Sequence, residues 1–222
     1  MCQRIIGALR LLFGCAAFAI SILILALALP SLSKDDPWFI DPSGKTGKIT
    51  STTSNLDLLN VYGKKNVVDG EMNFAEGEVI PSTILFPRSS LRRITISWKD
   101  PDQKRNPDRV QIHGDKSLWK TSLGLTLGLT LEEVERINGR PLILTNYETD
   151  YDGTVRSWEG GVFDSAMESQ GHVAVRLLRP AKLFVTVEEL DKMTDEGLEI
   201  SSSNPILRKM NPRVSEITWY FK

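Results

Sequence analysis

Thr130-Leu131-Glu132-Glu133-Val134-Glu135-Arg136-Ile137-Asn138-Gly139 is a short helix with both of its ends written into the residues. A threonine hydroxyl accepts from the first free backbone N–H groups, and an acid three residues later returns the bond, which is the capping-box pattern. Val134 and Ile137 fall on one helical face, and Gly139 supplies the residue on which such helices stop. Displaced by 76 residues, Ser54-Asn55-Leu56-Asp57-Leu58-Leu59-Asn60-Val61-Tyr62-Gly63 repeats the scheme. Ser54 answers to Thr130, Asp57 to Glu133, Leu58 and Val61 to Val134 and Ile137, and Gly63 to Gly139, while Lys64 and Arg140 extend the match. Short helices commonly share caps, so the residues that follow each one carry the argument.

After Gly63, strand-like runs occupy Thr83–Phe86, Leu91–Trp98 and Arg109–His113. After Gly139 they occupy Pro141–Tyr147, Thr154–Trp158 and His172–Leu178. Alternation places Ile94, Ile96 and Trp98 on one side of a half-buried strand. The stretch Asp69–Pro81, rich in glycine and acids, is expected to be a loop inserted in the first half. A third cap, Thr186-Val187-Glu188-Glu189, opens a helix ending near Gly197, and Ile217–Phe221 reads as a closing strand. The expected class is α+β: an N-terminal transmembrane helix, then short helices packed on antiparallel sheet in two tandem helix-plus-sheet repeats. The expected divisions are 1–33 for the anchor or signal, 34–48 for a linker, 49–120 for the first half, and 121–222 for the second half with its C-terminal extension.

The pattern from Gly128 to Pro141, followed by strands and Trp158, resembles the helix and first strand of certain α/β envelope modules. These are the β-lactamase-inhibitor-protein-like and outer-membrane assembly lipoprotein-like modules. The whole chain also resembles membrane-anchored or secreted bacterial envelope proteins of unknown function. Members of that kind work by binding other proteins, so the resemblance implies a binding role. No binding residue of theirs carries over singly to this sequence.

The N-terminus sets the topology. Arg4 and Arg10 precede an uncharged apolar run from Leu11 to Leu29, whose helical length of roughly 28 Å approaches the thickness of a bilayer's hydrocarbon core. Ala26 and Ala28 before Pro30 also fit a cleavage site, so a secreted product is the alternative to an anchor. In both cases Asp35 and Asp36 follow the run, and the positive-inside rule places the bulk extracytoplasmically, in the periplasm or at the cell surface. Cys2 and Cys15 both lie in this leader, which leaves the exported part without a disulfide, a thiolate nucleophile or a cysteine metal site. The leader holds two arginines and no acid, so beyond it the 27 basic residues fall to 25 against 28 acids. That balance offers no electrostatic case for nucleic acid.

Two segments suggest ligands. Glu148-Thr149-Asp150-Tyr151-Asp152-Gly153-Thr154-Val155-Arg156-Ser157-Trp158-Glu159 approaches a twelve-residue calcium loop, with Glu148, Asp150, Asp152 and Glu159 as candidate ligands. Against calcium stand Glu148 at the first position, the positive charge of Arg156, and strand-like flanks in place of helices. The competing reading is a β-hairpin turning at Asp152-Gly153, with Trp158 packed on the sheet and Asp150 and Asp152 in solvent. Gly44-Lys45-Thr46 resembles the end of a phosphate loop but lacks the earlier glycine, since Phe39 stands there.

No catalytic residue and no cofactor is assigned. His113 and His172 are the only histidines, Glu132, Glu133 and Glu135 read as a solvated helix face, and Trp98, Trp119, Trp158 and Trp219 read as core. The expected function is a non-enzymatic, membrane-anchored module that binds a protein or a cell-surface component. A hydrolase or small-ligand binder using scattered carboxylates is the alternative, marked by a pocket that holds carboxylates of perturbed ionisation. The leader yields a direct expectation: detergent, and not high salt, releases the full-length chain from membranes, because an apolar span is held by the hydrophobic effect. Fractionation with N-terminal sequencing checks it, and a soluble product beginning near Leu29 identifies a cleaved signal instead.

Overall fold

A computed structural model describes residues 37–41, 45–73, 77–147, 151–164, 173–182 and 184–221. Three short strands open it, Phe39–Asp41 (β1), Lys45–Thr46 (β2) and Ile49–Thr50 (β3). Helix α1, Asn55–Tyr62, leads into a meander of Val67–Asn73 (β4), Val79–Leu85 (β5), Ile94–Asp100 (β6) and Arg105–His113 (β7). Lys120–Thr121 (β8) precedes helix α2, Leu131–Asn138, and then come Ile143–Thr145 (β9), Val155–Ser157 (β10) and Val173–Leu178 (β11). Helix α3, Val187–Thr194, strand β12, Glu199–Ser201, helix α4, Pro205–Met210, and strand β13, Arg213–Tyr220, complete the chain.

The protein is α+β, with short helices and largely antiparallel sheets. All three expected capping boxes form: Asp57, Glu133 and Glu189 each receive the backbone N–H of the cap residue and donate their own to its hydroxyl oxygen. Helix α4 is capped instead by Asn204 with Pro205 in its first turn, where the missing N–H costs nothing. A six-stranded antiparallel sheet in the order β11-β13-β7-β6-β5-β4 dominates, beside a small β3-β2-β1-β8 sheet and a β10-β9-β12 sheet. One face of the large sheet carries Leu85, Ile94, Ile96, Val110, Ile112, Val175, Ile217 and Trp219, all buried in a single core with Leu58 of α1 and Leu131 and Val134 of α2.

Several expectations are corrected. Within the expected loop Asp69–Pro81, residues 69–73 and 79–81 are strand: they belong to the antiparallel pair of β4 and β5, in register from Val67↔Leu85 to Asn73↔Val79. Its glycine has a packing reason, because a Cβ on Gly70 would overlap the Ile84 side chain. Residues 37–41 and 45–48 are not a linker either. Ile40 and Thr46 are buried, β1 pairs in parallel with β8, and Trp38 meets Phe86 and Trp119 edge-on at ring distances of 5.6 and 5.2 Å. The helices of the two halves match, but the sheets do not. The strands after α1 lie side by side in one sheet, whereas those after α2 divide between two, and β13 inserts between β11 and β7. The divisions at 49–120 and 121–222 are therefore not separate units, and a tandem repeat does not describe the strand order. Among the described residues no helix is long and apolar enough to cross a membrane; the expected span at 11–29 lies outside them.

The second half is held by buried polar pins. Asn138 Nδ2 donates to the Trp158 carbonyl at 2.8 Å, and its Oδ1 accepts from Phe163 N–H at 3.3 Å. Asn146 Nδ2 donates to the carbonyls of Met193 and Gly197, at 2.9 and 2.8 Å, and so closes the end of α3. The β9–β10 hairpin turns through Gly153, whose φ is +67° and whose Cβ would overlap the Leu177 carbonyl oxygen. Gly153→Ala is expected to destabilise the protein by about 3 kcal/mol, since left-handed strain of roughly 1–2 kcal/mol adds to a clash with a backbone atom that cannot rotate away. A fall in the urea midpoint of the full chain, with the slope unchanged, checks it.

Candidate functional site

The second face of the large sheet carries polar side chains beside Ile84 and Met72 and is largely closed to solvent. Ser82, Thr95, Ser97, Gln111 and Thr218 lie on it and are all buried. Glu71, Met72 and Asn73 on β4 line the same groove, of about 470 Å³, as Arg176 and Leu178 on β11. Those strands are the two edges of the sheet. Laid flat they would stand about 24 Å apart, five interstrand spacings. The sheet therefore coils, and its polar face becomes the inside of a trough.

One row of charge crosses this trough. Register sets Arg176 of β11 opposite Glu216 of β13, and Glu216 opposite His113 of β7. Thr95 pairs with Gln111, so Arg93, two residues earlier, extends the row beside His113. The sequence of groups is Arg176, Glu216, His113, Arg93, contributed by four strands or strand ends. Burial pushes the Glu216 carboxyl above its ordinary value of 4.5, while the Arg176 charge and a hydrogen bond with Gln111 pull against it. His113 is pushed below its ordinary 6.5 by desolvation and then by the Arg93 charge. Arg176 is also committed on its other side, where its guanidinium pairs with the Asp152 carboxylate and its Nε donates to the Asp152 carbonyl at 2.9 Å. Arg93 differs: its Nε is buried and meets no hydrogen-bond acceptor among the described residues.

A larger recess of about 770 Å³ adjoins the trough. Both spaces share Gly114, Asp115, Leu178 and Ser215 as walls. The recess is lined by the apolar Leu127, Leu129, Leu178, Pro180, Ala181 and Val214, and also by Asp115, Lys116, Glu133, Arg179 and Arg213. Two of its three cations have internal work: Arg213 donates to the Gly128 carbonyl at 2.9 Å, and Arg179 lies over the Tyr147 ring at 5.8 Å.

The residues singled out in the sequence fall elsewhere. Glu148, Asp150 and His172 lie outside the described residues. Thr145 and Thr154, at the ends of the β9–β10 hairpin, are joined by a backbone bond of 2.7 Å, and Trp158 is buried against Phe163. Asp152 is not in solvent as the hairpin reading expected, because Arg176 reaches across from β11 and holds it. Glu159 accepts from Ser157 Oγ at 2.6 Å. Among the described residues no group of three or more His, Cys, Asp or Glu is placed to hold a metal ion. Glu135 is also not on a solvated face: it accepts from buried Ser202 and from Arg208, tying α2 to the chain around α4.

Compared with known proteins, the chain matches no protein-family model, no curated protein and no solved structure.

The row makes a pH prediction. A carboxyl whose folded pKa is raised binds its proton more tightly in the folded state, so its stabilisation is complete below the ordinary 4.5 and is lost as pH rises through the folded value. Glu216→Gln is therefore expected to gain stability over the wild type as pH rises above 4.5, with the difference shrinking in more acid solution. Denaturant midpoints of both chains between pH 4 and pH 8 measure it, and a difference independent of pH would remove the buried carboxyl from the account.

Proposed function

We propose that the chain is a membrane-tethered, extracytoplasmic binding module without catalytic activity, and that the trough with its recess holds a component of the cell envelope. The single observation that carries this reading is the adjacency of a charged row and a mostly apolar recess, which share four wall residues. Ligand sites of about 300–1,000 Å³ have this build, mostly apolar walls with a few fixed polar groups. The polar groups here are tied to the protein itself: Gln111 bonds Glu216, Asp152 takes Arg176, and Ser215 Oγ donates to the Arg176 carbonyl at 3.3 Å. Groups fixed in this way orient a ligand; they are not set up to exchange protons with one. The concave shape favours a molecule that enters over a flat protein face.

The tether belongs to the same proposal and rests on the leader: Arg4 and Arg10 before the apolar run, acids after it. The likeness of residues 128–141 to envelope modules that bind other proteins supports a binding role of some kind.

Native mass spectrometry of the full chain, extracted from membranes in mild detergent, tests the trough. The expected result is a retained small molecule on the wild type that Leu178→Asp loses, because Leu178 lines both spaces and is exposed enough to accept the change. Val61→Asp, an exposed position on α1, is expected to retain it. A bare wild-type mass, or equal loss in both variants, overturns the proposal.

A further inference from the structure

The geometry points to an anionic amphiphile as the occupant: a single carboxylate-headed molecule with an aliphatic tail, its head between Arg93 and His113 and its tail in the recess walled by Leu127, Leu129 and Val214. This inference rests on the trough being a binding site and adds the chemistry of what binds.

The head position follows from a donor without an acceptor. Buried donors in folded proteins are nearly always paired, and an unpaired one attached to a cation calls for an anionic oxygen. Arg93 Nε is buried and unpartnered, whereas the row's other guanidinium, on Arg176, already holds Asp152. Beside Arg93 stands His113, whose proton the Arg93 charge opposes. A carboxylate lodged at these two groups meets the free Nε–H and cancels the repulsion between them. The neighbouring acids do not fill that role. Glu216 stands beside His113 as well as Arg176, but burial favours its neutral form and His113 separates it from Arg93. Glu71 and Asp115 are exposed, as His113 is, and water screens their charges.

The tail position follows from adjacency. The row and the recess share the walls Gly114, Leu178 and Ser215, and most of the surface the recess exposes is apolar, from leucines, proline, alanine and valine, although Asp115, Lys116, Glu133, Arg179 and Arg213 also border it. Each buried methylene there gains about 0.8 kcal/mol, so a tail of several carbons binds far more tightly than a bare head. A free anion such as acetate or phosphate would occupy the head site alone and weakly.

Head binding couples to the His113 proton. The charged and titratable groups facing His113 are Arg93 before β6, Glu216 on β13, Asp115 after β7, Arg176 on β11 and Glu71 on β4. A bound carboxylate adds a negative charge to that set, so it raises the His113 pKa and, by linkage, binds more tightly as pH falls.

The test follows the His113 imidazole by NMR in the full chain, held in a nonionic detergent, with His172→Gln leaving one histidine signal. Saturating sodium octanoate is expected to raise the His113 midpoint by about one pH unit. Acetate is expected to need at least tenfold more, octanol and octyltrimethylammonium to give no rise, and Arg93→Met to abolish it. Should Arg93→Met fail to fold, Leu178→Asp, which blocks the tail, takes its place with the same expectation. An equal rise from acetate, or one that survives in these variants, overturns the inference. Octanoate without effect, while Leu178→Asp still strips a retained molecule in native mass spectra, rejects the ligand class and leaves the binding module standing. Failure of both experiments rejects both.

Discussion

The strand Arg213–Tyr220 hydrogen-bonds along both of its edges, and the rest of the molecule depends on that double ladder. On one side it runs antiparallel to β7 from Glu216↔His113 to Tyr220↔Arg109, and on the other to β11 from Val173↔Trp219 to Leu178↔Arg213. Without it the meander after α1 and the strand β11 share no backbone bonds. The strand β13 thus lies inside the sheet, second from one edge. This raises the contact order, and the sheet is complete only after the whole chain is present. The same strand fixes the functional geometry. Because side chains alternate, the register that buries Ile217 and Trp219 on the core face must turn Glu216 into the trough between Arg176 and His113. A slip of one residue would exchange the two sets.

The trough is a consequence of coiling. A flat six-stranded sheet with helices on one face would expose its other face, and Thr95, Ser97, Gln111 and Thr218 would be ordinary surface residues. Coiling brings β4 over that face and closes it. Polar residues then pay a desolvation cost unless they are bonded, and most are: Gln111 Nε2 donates to Thr218 Oγ1 at 3.3 Å. Ser97 Oγ and Arg93 Nε are the exceptions on this face, and both lie on or just before β6. Both unsatisfied groups on this face thus belong to one strand and the residue before it, whereas buried polar groups are ordinarily paired.

How much of this the residues announce depends on distance along the chain. The three capping boxes at Ser54, Thr130 and Thr186 were legible because a cap closes within four residues, and no tertiary contact can move it. Ile94, Ile96 and Trp98 were legible as one face for the same local reason. The burial of Thr95 and Ser97 between them was not, because a period of two marks which face is apolar and not whether the polar face is covered. The Asp69–Pro81 stretch misled by composition: Val67 and Met72 anchor it, while Asp69, Gly70 and Glu71 reflect an edge strand whose outward groups meet water. The row itself joins positions 93, 113, 176 and 216, and no spacing rule links them. The available signal was faint: Arg176 between Val175 and Leu177, and Glu216 before Ile217, are charges set inside strand-like apolar runs.

The hairpin after α2 shows how a tertiary contact can reassign a local motif. Its acids and glycine satisfy part of the calcium-loop pattern, yet the glycine is required for a different reason, because only a residue without a Cβ lets the turn lie against the Leu177 carbonyl. That approach permits Leu177 N–H to bond the Gly153 carbonyl at 2.9 Å and Thr154 to bridge to Arg176. It also brings Asp152 onto the Arg176 guanidinium. The small β10-β9-β12 sheet is thereby stitched to the edge of the large one through one glycine, one bridge and one ion pair. The ion pair is only partly exposed, so it contributes more than a surface pair but less than full burial would imply. Its larger effect is on the trough: by occupying one side of Arg176, Asp152 leaves that guanidinium to face Glu216 with a single edge. At the other end of the row, Arg93 Nε meets no hydrogen-bond partner among the described residues.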